Sequence, residues 1–249
     1  MYEGRYVYCI IPGGETRSYG GIGIGNRGDE VYTVNYRDLS AVVSATPVVE
    51  YEPCEENVLA HEGVVEELLK ETTVLPLKFS TVFSSEEQLK AALWRLYPQL
   101  KSELSRLEGK VEVGVKAFWE PEFAMKEIQE SNSEVARLQR RITETPGGLT
   151  ATHRLRAELN MLVSRKLNER AEEYSAEIFN AFKAHAENAR LNKPVGHMVL
   201  NGAFLVGRDK VVGFSEVFRS VQGMYEGRGL KLTISGPWPP YNFVTLRYE

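Results

Sequence analysis

The segment from Ser235 to Val244 constrains the fold of this chain more than any other stretch of its sequence. It reads Ser-Gly-Pro-Trp-Pro-Pro-Tyr-Asn-Phe-Val and places three prolines within four positions. Proline fixes φ and has no backbone N–H, so Pro237, Pro239 and Pro240 cannot continue a helix or a central strand. The segment directly follows alternating apolar residues at 230–234, which predict a strand. The sequence therefore predicts a stiff, extended segment that is held in place.

The aromatic side chains of this segment allow two interpretations. In the first, Trp238 and Tyr241 pack back on a sheet while the prolines fix the path of the chain. In the second, Pro237 to Pro240 forms a polyproline II ligand and the protein acts as a scaffold. Burial of Trp238 would exclude the second interpretation. Neither one supplies a nucleophile or a metal ligand.

The composition is typical of a globular protein in a reducing compartment. Of the 249 residues, 43% are hydrophobic, and the only cysteines are Cys9 and Cys54, with nothing in the sequence favouring a disulfide between them. No signal peptide is visible, and no apolar run approaches the roughly 20 residues that span a bilayer. We therefore expect a cytoplasmic protein that is not inserted in a membrane. The net charge of −4 gives no reason to expect nucleic-acid binding.

The first half of the chain mixes strand and helix patterns. Residues rich in Val, Ile and Tyr predict strands over 5–11, 31–36 and 39–45, with a hairpin turn at Arg37-Asp38. Apolar spacings of three and four predict helices over 53–71 and from the capping residues 84–85 to Gly109. Residues 74–83 between these helices are predicted to be extended, and Val111 to Val115 alternate as in a strand.

The second half begins with helical patterns and ends with a small sheet. One helix is predicted over 122–145, and Pro146-Gly147-Gly148 interrupts the pattern. A long helical pattern over 151–189 predicts either a coiled-coil-like arm or two helices separated by a kink. The two helical segments could pair as an antiparallel hairpin. Strand, helix and strand patterns follow over 197–206, 214–225 and 230–234.

These elements predict an α+β fold with two domains. Residues 1–120 are predicted to form a modified ferredoxin-like sheet with helices on one face. Residues 121–249 are predicted to form a second α+β domain with long helices, a small antiparallel sheet and the proline-rich tail. The second domain repeats the strand–helix–strand pattern of 74–118, which suggests a ferredoxin-like sheet there too. The charges also differ: 19 acidic and 12 basic residues give −7 for 1–120, and 15 acidic and 18 basic residues give +3 for the rest.

The sequence contains no convincing catalytic or cofactor site. Gly21-x-Gly23-x-Gly25 lacks the lysine of a P-loop and the spacing of a dinucleotide site, so we expect a hairpin loop. His61 has no partner nucleophile, and the four histidines are too scattered for a metal site. Paired glutamates lie on predicted helix faces, where carboxylates are usually exposed to solvent and take no part in acid–base chemistry. We therefore expect neither an enzyme nor a bound cofactor or metal.

A cluster of basic residues on the predicted helical pair is the best candidate for partner binding. It has few acidic neighbours and lacks the interleaved aromatic residues that stack on nucleic-acid bases. The alternative is a solvated face whose charges pair with nearby carboxylates. The residues predicted to bind a partner are Arg137, Arg140, Arg141, Arg154 and Arg156, and the cluster continues through Arg165, Lys166 and Arg170.

Three segments, in order along the chain, resemble a known family. They are His61-x-x-Val64-Val65 leading into Val74-Leu75-Pro76-Leu77-Lys78-Phe79-Ser80-Thr81-Val82-Phe83, then Leu200-Asn201-Gly202-Ala203-Phe204-Leu205-Val206, and the terminal Gly236-Pro237-Trp238-Pro239-Pro240-Tyr241-Asn242-Phe243. Together they resemble the gas vesicle protein F/L family. The resemblance marks Pro76, Phe79, Asn201 and Pro237 to Tyr241 as structural positions. Ser80 departs from the family pattern, which usually has Gly, and suggests a position without positive φ.

The resemblance implies an accessory or minor structural protein of gas vesicle formation. It implies contact with the small, hydrophobic shell protein and with other accessory proteins, and it carries over no catalytic residues. We expect the protein to bind shell subunits and to assist nucleation or assembly of the shell, in association with the vesicle. The competing class is a small-molecule-binding or enzymatic α+β domain, which a deep pocket with convergent polar groups would favour.

Overall fold

The structure is a computed structural model that describes residues 3–144 and 149–246. The chain divides into two compact units. The first contains the residues up to Glu112 together with the segment from Pro237 onward, and the second contains Val113–Gly236. These units differ from the predicted division at residue 120 mainly in the C-terminal segment, which lies with the first unit. The predicted break at Pro146-Gly147-Gly148 falls outside the described residues.

The first unit is built on a six-stranded sheet in the order β2-β3-β4-β1-β5, with β6 also paired to β1. Its paired strands run antiparallel. The predicted hairpin turn at Arg37-Asp38 is confirmed, and Arg37 adopts a φ of +56° there. The elements are β1 (Glu3–Pro12), β2 (Ser18–Gly20), β3 (Val31–Tyr36), β4 (Leu39–Pro47), α1 (Glu55–Glu71), β5 (Leu75–Pro76), β6 (Val82–Phe83) and α2 (Glu86–Leu107).

Helices α1 and α2 pack on opposite faces of this sheet. Neighbouring residues of β1 point to opposite faces, and two such neighbours contact different helices. Tyr6 faces α1, where its hydroxyl lies 2.9 Å from Nδ1 of His61. Arg5 faces α2, where its guanidinium lies 3.7 Å from the carboxylate of Glu86. The prediction that helices cover one face is therefore wrong. The physical reason is visible in β1 itself, whose residues from Tyr6 to Ile11 are all buried and so require cover on both sides.

Ser80 shows that the expectation of negative φ at this position is also wrong. Its φ is +64°, in the left-handed region that favours glycine. Two hydrogen bonds hold it there: the Ser80 N–H donates to the Tyr6 hydroxyl at 3.0 Å, and the Tyr51 N–H donates to Ser80 Oγ at 2.8 Å. The serine side chain thus supplies an acceptor that glycine lacks, and this bond offsets part of the cost of the backbone conformation.

The second unit contains a four-stranded sheet in the order β10-β7-β9-β8. Its chain order is strand, helices, strand, strand, helix, strand, which is the ferredoxin-like arrangement. The elements are β7 (Lys110–Trp119), α3 (Pro121–Ser131), α4 (Ser133–Glu144), α5 (Leu149–Lys183), β8 (Asn188–Leu191), β9 (Met198–Gly207), α6 (Val211–Tyr225) and β10 (Leu230–Trp238).

The α+β class is confirmed, but the ferredoxin-like arrangement lies in a different half from the main prediction. The first unit places four strands before its first helix, so it does not have the ferredoxin-like order. The arrangement that the sequence only suggests for the second half is present there. The sequence pattern places β7 with the first half, whereas β7 pairs within the second sheet. Without β7, the second half lacks the strand that lies between β10 and β9.

Three helical boundaries in the second unit differ from the sequence pattern. The helix predicted over 122–145 is interrupted at Asn132, whose Oδ1 accepts hydrogen bonds from the N–H groups of Glu134 and Val135 and so begins α4. The long helix α5 is a single 35-residue element, about 52 Å long at about 1.5 Å per residue. It ends at Lys183, and β8 follows because residues 188–191 pair with β9. Pairing with a neighbouring strand overrides helix propensity here.

Helices α5 and α6 bury their apolar stripes against the sheet of the second unit. Phe182 lies at the centre, with ring centroids 5.7 Å from Phe204 and 5.5 Å from Phe214. Alternate residues of β7 face the same core. The largest contributors from the helices and from β7 are Tyr174, Ile178, Phe182, Phe214, Phe218, Val113, Val115 and Trp119.

The C-terminal segment is fixed in the first unit by two buried carboxylates. Glu112 accepts hydrogen bonds from the backbone N–H and the side-chain amide of Asn242 at 2.9 and 2.6 Å. Glu103 accepts from the N–H and hydroxyl of Thr245 at 3.0 and 2.9 Å. Burial opposes ionisation of Glu103, but Arg106 and Thr245 outweigh it and hold the pKa of this carboxyl below its usual range. Between these anchors, Phe243 is only 1% exposed.

We predict that Phe243→Ala lowers the free energy of unfolding by about 3 kcal/mol, because it removes a fully buried aromatic side chain. Urea denaturation of the full chain measures this change. Trp238→Ala is the matched control: Trp238 is 41% exposed, and its loss should cost less than about 1 kcal/mol. Equal effects from the two substitutions would contradict the anchored position of the segment.

Candidate partner-binding surface

The structure places the five predicted partner-binding arginines on two adjacent helices. Arg137, Arg140 and Arg141 lie on α4, and Arg154 and Arg156 lie on α5; all five are exposed. The helices pack together, with Glu134 of α4 3.9 Å from Arg165 of α5. The arginines therefore occupy the same helical pair, as the sequence predicts.

The basic cluster separates into a paired and an unpaired part. Arg165 and Lys166 both contact Glu169, and Arg170 binds Glu127 and Glu173 at 2.7 Å each. Arg141 also interacts with another group. Among the described residues, no carboxylate lies within ion-pair distance of the remaining four cations. We call these four the hairpin surface: Arg137, Arg140, Arg154 and Arg156. The solvated, self-paired interpretation thus holds for residues 165–170, and the hairpin surface keeps free guanidinium groups.

A groove between α4 and α5 lies beside this surface. Its volume is about 360 Å³, and it is lined by Glu134 and Leu138 of α4 and by Glu158, Met161, Leu162 and Arg165 of α5. Met161 is 72% exposed, which is unusual for a long apolar side chain. The groove offers apolar contact from Leu138, Met161 and Leu162, and its rim carries both carboxylates and the Arg165 guanidinium.

The structural positions suggested by the family resemblance lie mostly inside the fold. Pro76 is buried in β5, a two-residue edge strand, where a missing N–H is tolerated. The Phe79 ring lies 5.9 Å from that of His61. On β9, the Asn201 backbone carbonyl accepts a hydrogen bond from Asn192 at 2.8 Å. These residues shape strand ends and turns.

The proline run is half exposed and half buried. Pro237 and Trp238 are exposed at the end of β10, whereas Pro239 and Pro240 are buried. A polyproline ligand presents its prolines on one continuous open face, and this run does not. Burial of Trp238 would have excluded the scaffold interpretation, and Trp238 is exposed. Burial of Pro239 and Pro240 nevertheless leaves that interpretation without a binding surface.

Sequence inspection missed a buried polar cluster around His61. The Tyr8 hydroxyl lies 2.8 Å from Ser44 Oγ and accepts from the Ile24 N–H, and its ring lies 5.6 Å from that of His61. A β-bulge between Val7 and Cys9 shifts the register where Tyr8 sits. The alternating Tyr-Val-Tyr of β1 is the one sequence signal for this cluster, since both tyrosines fall on the face toward α1.

The environment of His61 suits a structural role. Burial lowers its pKa to about 4, with a smaller opposing contribution from the Leu77 backbone, so the ring is neutral near pH 7. Burial also raises the pKa values of Tyr6, Tyr8 and Tyr241. All four groups are therefore uncharged, and none is poised to exchange a proton near neutral pH.

A second groove, of about 450 Å³, lies where α5 ends and α6 begins, and its lining includes His185, Glu187, Asp209 and Lys210. Lys210 faces Glu187 at 4.0 Å, and both are exposed. Within residues 3–144 and 149–246, no three His, Cys, Asp or Glu side chains are grouped to hold a metal ion. Over the same residues, no helix is long and apolar enough to cross a bilayer.

Comparison with known proteins identifies the family. The family model described as "Gas vesicle synthesis protein GvpL/GvpF" matches residues 4–245. The chain belongs to this family. It is 29% identical to gas vesicle protein F1 of Halobacterium salinarum, over 99% of this chain and 95% of that protein. It is also 29% identical to gas vesicle protein F of Haloferax mediterranei, over 88% of this chain and 83% of that protein.

The fold agrees with a solved member of the GvpL/GvpF family. The crystal structure of GvpF from Anabaena sp. PCC7120 superposes with a TM-score of 0.83 at 22% sequence identity, covering 99% of this chain and all of that one. Membership of the GvpL/GvpF family implies a role in gas vesicle formation. It agrees with the resemblance drawn from the three sequence segments.

We predict that stability depends on the protonation of His61. The folded-state pKa of about 4 lies below the ordinary value of 6.5, so between these values the unfolded chain binds a proton that the folded protein does not. Its contribution to stability is therefore complete above about pH 6.5 and is lost as the pH falls toward 4. His61→Phe should reduce the pH slope of the unfolding free energy in this window by up to about 1.4 kcal/mol per pH unit.

Urea denaturation at several pH values between 4 and 7 measures these slopes. His185→Asn is the control, because it replaces an exposed histidine outside the core of the first unit. An unchanged slope in His61→Phe would show that this histidine titrates normally in the folded protein.

Proposed function

We propose that this protein binds subunits of the gas vesicle shell and assists nucleation or growth of the shell, in association with the vesicle in the cytoplasm. The observation that carries this proposal is the GvpL/GvpF family match over residues 4–245. The relatives are named gas vesicle proteins. Contact with the shell subunit is the step that we add for this chain.

The physical need for such a protein follows from the nature of a gas-filled shell. A subunit that will face gas must carry a large apolar surface, and that surface aggregates if it is exposed before assembly. A partner that covers the surface until subunits join would prevent this. Both units of this chain have well-packed cores, as a protein that acts through its surface requires.

The hairpin surface is the region that we propose for contact with an acidic face of a vesicle protein. Its guanidinium groups lack carboxylate partners among the described residues, so a partner would not have to displace an existing ion pair. Exposed charges of this kind raise association rates and select partners more than they add affinity. The adjacent groove with Met161 supplies apolar area that charge alone does not give.

The first prediction concerns the partner itself. Affinity capture of the tagged full-length chain from vesicle-forming cells should recover the shell protein, identified by mass spectrometry. A tagged chain from cells that lack vesicle genes provides the background. Recovery of neither the shell protein nor any other vesicle protein would contradict the proposed function.

The second prediction locates the contact. Replacing Arg137, Arg140 and Arg141 with Glu should weaken capture of the vesicle partner at least tenfold at low salt, because three attractive charges become repulsive. The protein should stay folded by circular dichroism, since all three side chains are exposed.

The matched control replaces Lys193, Arg219 and Lys231 with Glu. These three are also exposed residues of the second unit, and the change in net charge is the same. Capture should be unaffected in this control. Charge screening is weakest at low salt, so undiminished capture by the Arg137, Arg140 and Arg141 variant there would remove the α4 side of the hairpin surface from the contact.

A further inference from the structure

Helix α2 of the first unit carries an exposed tryptophan that is not part of the core. Trp94 is 66% exposed, although tryptophan is usually well buried. Ala91 and Pro98 lie three residues before and four residues after it, which puts all three on one face of the helix, and both are exposed. They form a short apolar stripe parallel to the helix axis.

A free hydrogen-bond acceptor lies in the middle of this stripe. Pro98 is inside α2, and proline has no N–H to donate. In a regular helix the N–H of residue 98 would bond the carbonyl of residue 94. The Trp94 carbonyl therefore lacks its normal intrahelical donor and points toward Pro98.

Positive charge borders the stripe on both sides. The Arg37 guanidinium lies 4.9 Å from the centroid of the Tyr97 ring, and Tyr97 is three residues after Trp94 on the helix. Arg95 is exposed on the other side. Among the described residues, neither arginine has a carboxylate within ion-pair distance.

The acidic group closest to Arg37 in sequence is already engaged. Asp38 is bonded to Nζ of Lys101 and to the hydroxyl of Tyr97, each at 2.6 Å. Glu86, at the start of α2, is likewise held by Lys90 at 2.8 Å. Arg37, which stacks on the Tyr36 and Tyr97 rings, and Arg95 therefore place positive charge on the two sides of the stripe, while the exposed carboxylate of Glu87 lies one turn before Ala91.

We propose that this face of α2, comprising Ala91, Trp94, Pro98, Arg95 and Arg37, docks an acidic amphipathic helix of a partner protein. The apolar side of that helix covers Trp94, and its carboxylates bind Arg37 and Arg95. A helix suits this face because the stripe follows the axis of α2, along which a second helix can pack. An exposed aromatic centre with a charged rim has the composition of a binding hot spot. This inference does not depend on the hairpin surface or on the identity of the vesicle partner.

The test uses three labelled 18-residue helical peptides and the full-length protein. The first has glutamate on one face and leucine on the other, the second replaces every glutamate with lysine, and the third replaces every leucine with serine. Fluorescence anisotropy measures binding. The first peptide should bind with saturation, and the other two should bind at least tenfold more weakly.

Protein variants then locate the site. Trp94→Ala should weaken binding of the first peptide at least tenfold. Arg95→Glu and Arg37→Asn should weaken it at low salt; asparagine is chosen because it tolerates the positive φ at position 37. Trp238→Ala is the control, since it removes another exposed tryptophan, and it should bind like the wild type.

Two results would overturn the proposal. One is equal affinity for the glutamate and lysine peptides, or no saturable binding of the glutamate peptide up to about 1 mM, a concentration that would detect even weak complexes. The other is unchanged affinity in Trp94→Ala while circular dichroism shows that the variant is folded.

Discussion

The buried carboxylates Glu103 and Glu112 make the C-terminal segment part of the first unit. Each accepts hydrogen bonds from both the backbone and the side chain of one residue in the segment, and such charge-assisted bonds are among the stronger ones in proteins. They hold Phe243 in the core and Tyr241 next to His61. The unusual proline-rich stretch is therefore an internal component of the fold, with the prolines directing the chain from β10 to its anchors.

Much of this fold follows from local sequence patterns, and the exceptions have identifiable causes. The strands β3 and β4, their turn and the Ser85 cap of α2 depend on neighbouring residues, so they were predictable. Residues 188–191 form strand β8 because they pair with β9, and their own sequence does not predict a strand. Ser80 keeps a left-handed backbone because Tyr6 and Tyr51, both distant in sequence, bond it. The candidate surfaces show the same contrast. The arginines of the hairpin surface form a cluster in the sequence, whereas the Trp94 face is recognised only once the structure shows which side of α2 is buried.

The polar groups around His61 inside the first unit differ in charge from those on the protein surface. Inside the first unit, His61 and its tyrosine neighbours are uncharged and held within the core. On the surfaces, guanidinium groups remain free in two places, on α4 and α5 of the second unit and beside Trp94 of the first. Each place combines positive charge with an exposed apolar side chain, Met161 or Trp94. These are the two surfaces that we propose for contact with acidic partners.

The discontinuous first unit also has a consequence for biosynthesis. The last segment of its core, which begins at Pro237, is synthesised only after the whole second unit has been translated. Until then, Glu103 and Glu112 lack their C-terminal partners and the site of Phe243 is unfilled. The second unit is contiguous in sequence and can fold as it emerges, whereas the N-terminal unit, although translated first, must finish last. Translation that stops before Phe243 would therefore yield chains in which the ferredoxin-like sheet of the second unit is complete and the core of the first unit lacks Phe243.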